Sequence, residues 1–321
     1  MEKVYYGETQ CQMKKLNGHN CTNLAYYIYN NMYLCGVHCK ANNRTNILPQ
    51  RKSKEELQEK IHQEQNLLTT KLNIIEMHKN DNISNGRSGN VILSKMYMMK
   101  TPTSTPGYIN VYPNYKDGGR KDGLGMPSLS PKSIGPINHG QPGLPPSLNL
   151  ENFHQGSKCF IQETTMVGDK YYPSQVYRDN REKFYKDSQP HRHKFKGNIK
   201  GNVNIPVFFV WVDKDGKEHY LDYITSRQFY CNFYERSVIN DPNYTNLLSL
   251  IKTGYNLQIC GYDAHNIDEV KGISKNMSLH EKIERTYLSP DKPFGHELVL
   301  FSMLMLKEDN YPWRKYKSFD F

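Results

Sequence analysis

The sequence predicts an α+β or α/β protein built in four parts. These are a small zinc-binding module (residues 1–45), a long amphipathic helix (53–79), a Pro/Gly-rich linker or wrapping arm (80–155) and a C-terminal mixed α/β domain (156–321). Three observations carry the prediction. Four of the seven cysteines fall within the first 39 residues, nine of the seventeen prolines fall between residues 101 and 146, and strand-like and helix-like patterns alternate only after about Gly156.

The cysteine cluster is a disulfide staple or a metal site according to compartment. Met1 leads into the polar run MEKVYYGETQ, with none of the apolar core of a secretory signal. The longest apolar runs, VFFVWV and LVLFSMLML, fall far short of the ~20 residues needed to span a bilayer. A soluble intracellular chain with no membrane partner is expected, and reduced thiols then favour metal ligation. Cys11, Cys21, Cys35 and His38 are the expected zinc ligands, because the two residues between Cys35 and His38 let one tight turn present two ligands to a tetrahedral ion. Cys39 adjoins His38 and offers a substitute for it; a group of unliganded buried thiols is the other reading. Cys159, Cys231 and Cys260 are scattered, each expected as a buried thiol.

Ser53 and Glu56 in SKEE have capping-box spacing, and a run without Pro or Gly follows to about Lys79. Leu57, Ile61, Leu68, Leu72 and Ile75 recur at intervals of three, four and seven, which predicts one helix with an apolar stripe. The stripe lacks the sustained heptads of a coiled coil, so docking onto the body is favoured over a partner chain. From Thr101 to Pro146 the density of proline argues against regular helix or a central strand. Tyr108, Ile109, Val111, Tyr112 and Tyr115 are more apolar than a free linker needs, which favours an arm laid over a surface. GGRKDGLG lacks both the Gly-Lys-Ser/Thr ending and the preceding strand of a phosphate loop.

In the C-terminal domain, VFFVWV (207–212) and EHYLDY (218–223) flank DKDGK, whose Asp-Gly step signals a hairpin. SRQFYCNFYERSV reads as a helix, YTNLLSLIKTG as a second helix ending on Gly254, and NLQICGYD as a buried strand. GHELVLFSMLML, apolar all round, reads as a buried helix.

The net charge of +10 is uneven: residues 1–150 carry 18 Lys and Arg against 10 Asp and Glu, and residues 151–321 carry 24 against 22. A basic half suits a polyanion such as nucleic acid, although solubility alone also explains it. The segment 178–200, with eight Lys and Arg against three acids, interleaves Phe184, Tyr185 and Phe195 in a way that suits phosphates and bases, or else it is a solvated loop.

Three C-terminal segments carry the site-like residues. Arg227, Tyr230 and Tyr234 lie close to one helical face; Gly261, Tyr262, Asp263 and His265 follow a buried strand; Gly295, His296 and Glu297 start a helix whose free N–H groups suit an anion. Arg227, Asp263, His296 and Glu297 are the candidate catalytic residues, and Tyr230, Tyr234, Gly261 and Gly295 the candidate ligand contacts. The plainer reading makes Arg227 a structural partner of Asp263 or Glu297, the tyrosines core aromatics, and His296 and Glu297 helix caps.

The N-terminal motif, with Cys11, NGHNC ending at Cys21 and YLCGVH ending at His38, resembles small zinc modules in proteins of large cytoplasmic DNA viruses of the mimivirus kind. The Asn- and Lys-rich style of the chain is similar. Residues 225–305 resemble a family of small uncharacterised α/β domains that end in a strand, a Cys- or Gly-rich turn and a Cys/Gly-His-Gly/Glu-x-Val-Leu helix start; Gly295 stands where that family has Cys. The resemblance to viral proteins implies a place in the host cytoplasm (viral factory) or the virion. Three functions are in view. The first is a zinc-containing protein that associates with nucleic acid. The second is an enzyme acting on a nucleotide or ADP-ribose-like group, with Arg227 holding phosphate and either Asp263 or Glu297 acting as general acid/base with His296. The third is a structural component whose long helix and arm bind virion proteins.

Overall fold

The computed structural model describes residues 10–15, 17–25, 27–29, 32–39, 54–98, 100, 102–200 and 203–316. The chain forms two compact units, Met1–Asn73 and Ile74–Phe321.

In the first unit β1 (Tyr27–Tyr29) pairs antiparallel with β2 (Met32–Leu34), and isolated bridges join Gln10 to Leu24 and Lys14 to Asn20. Gly18, at φ +80°, turns the chain between the latter two, a conformation that costs glycine nothing. Leu34 and the thiols of Cys11, Cys21, Cys35 and Cys39 make a small buried cluster. α1 (Lys54–Ser84) is longer than predicted, and the capping residue Ser53 lies outside the described residues. Of the expected apolar stripe, the side chains of Leu57, Ile61 and Leu68 lie outside the description, Leu72 is 57 % exposed and Ile75 half-buried.

From Ile74 onward α1 belongs to the second unit, where Glu76 accepts the Tyr255 hydroxyl and Asn82 Nδ2 donates to the Gly107 carbonyl (2.9 Å). Next come β3 (Val91–Lys95), β4 (Tyr108–Tyr112) and β5 (Leu124–Gly125). They are followed by α2 (Leu150–Gly156), β6 (Lys158–Cys159), β7 (Thr164–Val167), β8 (Lys170–Pro173), α3 (Gln175–Lys186), β9 (Asn198–Lys200) and β10 (Val203–Ile205). The chain continues through β11 (Phe208–Val212), β12 (Glu218–Leu221), α4 (Tyr223–Val238), α5 (Pro242–Lys252), β13 (Asn256–Gly261), α6 (Leu279–Leu288), α7 (His296–Met305) and α8 (Pro312–Lys315).

The central sheet is parallel, in the order β3-β13-β4-β5. β13 is buried at all six positions, as a strand covered on both faces must be. β4 is hydrogen-bonded on both sides, which overturns the expectation that 101–146 holds no central strand. Proline removes only its own N–H, and the five residues of β4 fit between Pro106 and Pro113. The boundary expected at residue 156 is corrected with it: β3, β4 and β5 come from the supposed linker, and Met126, Leu129, Ile134 and Ile137 of the same stretch enter the main core. Just before β4, Thr103 and Thr105 are both held by the Gln258 side chain of β13.

A second, antiparallel sheet, β12-β11-β6, contains the predicted hairpin, with Val212 opposite Glu218. The predicted helices are present; α4 and α5, together with α6, which the sequence reading did not foresee, carry side-chain caps. Asp222 Oδ1 accepts Thr225 N–H (2.6 Å), Asp241 Oδ1 accepts Asn243 N–H (2.7 Å), and Ser278 with Glu281 forms a capping box. α5 ends at Gly254, whose φ of +94° is open to glycine. α7 packs on β3 and β13 and is buried from Glu297 through Leu304, so its all-apolar sequence matches its place. Cys159, Cys231 and Cys260 are buried thiols as expected. Among the described residues no helix is long and apolar enough to cross a membrane.

Candidate functional site

Two places concentrate chemistry. In the first unit Cys11, Cys21, Cys35 and His38 bring their ligand atoms within 4.8 Å of one another, and the cluster could hold a metal ion. Cys21 Sγ and Cys35 Sγ are 4.0 Å apart, and His38 Nδ1 lies 3.3 Å from Cys11 Sγ and 3.4 Å from Cys35 Sγ. A tetrahedral ion with bonds of about 2.0–2.3 Å has ligand-to-ligand edges of roughly 3.5–3.8 Å, close to the three separations of 3.3, 3.4 and 4.0 Å. The turn foreseen from the Cys35–His38 spacing is closed by His38 N–H to Cys35 O at 3.1 Å. Burial alone would raise the Cys35 thiol, but N–H groups of His38 and Val37 and the Asn23 side chain favour its thiolate and bring it down to about 6. Cys39 is equally buried beside this set, and His38 completes it.

In the second unit a cavity of about 840 Å³ opens at the C-terminal ends of β4 and β13, the end at which parallel sheets place ligands. Arg227, Tyr230, Asp263, Gly295, His296 and Glu297 all line it, so the three sequence segments meet. Two predicted contacts stand behind the wall. Tyr234 is fully buried and donates its hydroxyl to Leu129 O (2.8 Å), a core role. Gly261 supports Glu297: a Cβ at Gly261 would stand 2.1 Å from Glu297 Oε1, so only glycine lets β13 pass this close.

Glu297 is 1 % exposed, and burial pushes its carboxyl up to about 7 against the N–H groups of Glu297, Asp263 and Tyr262. Burial, reinforced by the Glu297 charge, raises Asp263 to about 6. Both acids crowd Gly295, where a Cβ would stand 3.0 Å from Glu297 Oε2 and 3.1 Å from Asp263 Oδ2. Burial lowers His296 to about 4, so its ring is neutral near pH 7. Its Nε2 faces the Pro113 carbonyl at 2.9 Å, which assigns the proton to Nε2 and leaves Nδ1 an acceptor. Glu297 Oε2 lies 3.1 Å from that Nδ1 without the alignment of a hydrogen bond, and is otherwise a buried oxygen with no partner.

Arg227 sits differently from the phosphate clamp expected of it. It is 4 % exposed, donates to the Thr286, Tyr287 and Lys292 carbonyls (3.3 Å to Thr286, 2.6 Å to Lys292), and stacks 4.6 Å from the Tyr223 ring. Its fork is occupied by backbone. Glu297 Oε1, from the first turn of α7, accepts the Asp263 N–H just beyond β13 (3.4 Å). The sequence reading missed Glu151, His154 and Lys158, which line the same cavity, His154 with its ring 4.9 Å from that of Tyr230. Their signal was present in LENFHQGSK, where Glu151 and His154 share one face of α2 while Leu150 and Phe153 point to the core. His265, named with the strand end, is lowered by burial to about 4 and has a buried Nε2 with no partner.

No protein-family model, curated protein or solved structure matches this chain.

Proposed function

We propose that the second unit is an acid–base enzyme acting on a phosphorylated small molecule of the nucleotide or ADP-ribose type. One observation carries this reading: Asp263 and Glu297, two carboxyls whose protons are held to about 6 and 7, face one cavity whose other walls carry Lys132, Lys158, Arg192 and Lys196. Carboxyls poised near neutrality exchange protons with a bound substrate, and the basic walls favour an anion. In this reading Glu297 supplies a proton to a leaving group while ionised Asp263 takes one from the attacking group; the Asp263 N–H, on Glu297 Oε1, holds Glu297 in place. The test is turnover of a panel of nucleotides and ADP-ribose by the full chain. Asp263→Asn and Glu297→Gln should each lower turnover about 100-fold or more, the usual range for a lost acid or base. No turnover between pH 5 and 8, or variants as active as the wild type, would remove the reading.

The Cys3His cluster supports zinc, the ion that three thiolates and one imidazole in a tetrahedral arrangement favour. Association with nucleic acid is a second reading, favoured by the excess of 18 basic over 10 acidic side chains in residues 1–150.

A further inference from the structure

Among the cations that line the cavity, two are placed to act together. Lys158 Nζ makes one hydrogen bond among the described residues, to Gln155 Oε1 (3.2 Å), leaving two of its three donors for the cavity. Arg192 leaves its whole guanidinium without a partner among the described residues, and it lies close enough for its charge to act on both Lys158 and Asp263. The segment that carries Arg192 is fixed, not loose. The neighbouring His193 N–H donates to the same Gln155 Oε1 (3.3 Å), and its ring lies between Phe160 (4.6 Å) and Phe184 (5.3 Å). Its Nε2 meets Glu163 Oε2 at 3.2 Å, with both side chains almost wholly buried. Gln155 in turn holds Glu151 through Nε2 (3.0 Å), so α2, β6 and the basic segment form one preorganised wall.

Tyr115 and Tyr262 follow the neighbouring strands β4 and β13 and line the same cavity. They are 42 % and 50 % exposed, large aromatic faces left to solvent where a strand end meets a pocket. An anion-holding wall and an aromatic rim on a cavity of about 840 Å³ match a ligand that is charged at one end and flat at the other.

We propose that Lys158 and Arg192 bind the phosphate, and Tyr262 at the mouth stacks the base, of a nucleoside 5′-phosphate or a larger molecule containing one. The inference rests on the cavity being a substrate site, but it concerns binding alone. The experiment is calorimetric titration of the full chain with AMP and with ribose 5-phosphate, which has the phosphate and no base. Lys158→Met and Arg192→Met should each weaken both ligands by about tenfold or more, the effect of losing one charge-assisted contact. Tyr262→Ala should weaken AMP by about tenfold while leaving ribose 5-phosphate within twofold, because stacking alone is removed. Arg192 and Tyr262 are surface positions, so those two variants stay informative should Lys158→Met fail to fold. A wild type that binds neither probe, cation variants that bind AMP as the wild type does, or a Tyr262→Ala loss equal for both probes would overturn the proposal. Failure of the catalytic reading alone shows differently: AMP binding follows this pattern, yet Asp263→Asn leaves turnover unchanged.

Discussion

Glu297 and Arg227 are both buried ionisable side chains, and the protein treats them in opposite ways. Arg227 is surrounded by carbonyls and an aromatic face, so it ties the last turn of α6 and the loop after it to α4. Arg227→Met leaves the Tyr287 and Lys292 carbonyls short of a donor and should lower folding stability by about 3 kcal/mol, measured by urea unfolding. AMP affinity should stay within about threefold in the same variant; a large loss of affinity with intact stability would restore Arg227 as a ligand contact. Glu297 instead keeps its proton. Its folded pKa, pushed by burial to about 7, exceeds the value of about 4.3 in the unfolded chain, so the folded state holds a proton that the unfolded state has released between those limits. The stability this gives is full below about pH 4.3 and is lost as pH rises through 7. Glu297→Gln is neutral throughout and escapes the loss. Relative to wild type it should gain roughly 3 kcal/mol between pH 4 and pH 8, whatever its constant offset. An offset that does not change with pH would show that Glu297 titrates like an exposed acid.

Elements with their own local chemistry were legible in the sequence, and those defined by distant partners were not. α4 and α5 announce themselves through Asp222 and Asp241, and α5 stops at Gly254; α6 went unread although its Ser278–Glu281 box is just as local. The Cys35–His38 turn was equally readable, because two ligands three residues apart need one. By contrast β4 sits among prolines and is a strand only because β13, about 150 residues later, and β5 pair with it on either side. Nothing local marks such a strand. The same holds for the site: the strand end at Asp263 and the helix start at Glu297 were visible, whereas Lys158 and Glu151 join them only through folding. The metal module is the element whose stability has the simplest test. The full chain should contain one equivalent of zinc by elemental analysis, and Cys35→Ser should lose it together with the ordered signals of residues 10–39, since ligands this dispersed have little other core. Less than about half an equivalent, with the variant unchanged, would make the cluster a set of buried thiols.

For the whole molecule the open issue is where its charge acts. The net +10 sits mostly in residues 1–150, while the basic segment at 178–200, which from sequence alone suited a nucleic-acid surface, contributes Arg192, Lys194 and Lys196 to the cavity. A small anion and a polyanion would therefore use different charges. Polyanion binding releases condensed counterions, so its affinity falls steeply with salt, by about a thousandfold or more between 50 and 200 mM if six or more phosphates are neutralised. A single phosphate held by Lys158 and Arg192 involves far fewer counterions and should depend weakly on salt. The prediction is that single-stranded nucleic acid binds the full chain with a steep salt dependence, and that saturating AMP or the Arg192→Met substitution leaves this binding within about threefold. Fluorescence anisotropy of a labelled oligonucleotide across a salt series measures it. Displacement of the oligonucleotide by AMP would mean that both ligands share the cavity, and the charge of residues 1–150 would then be a matter of solubility. Absence of binding at low salt would leave the cavity as the one anion site and remove nucleic acid from the functional account.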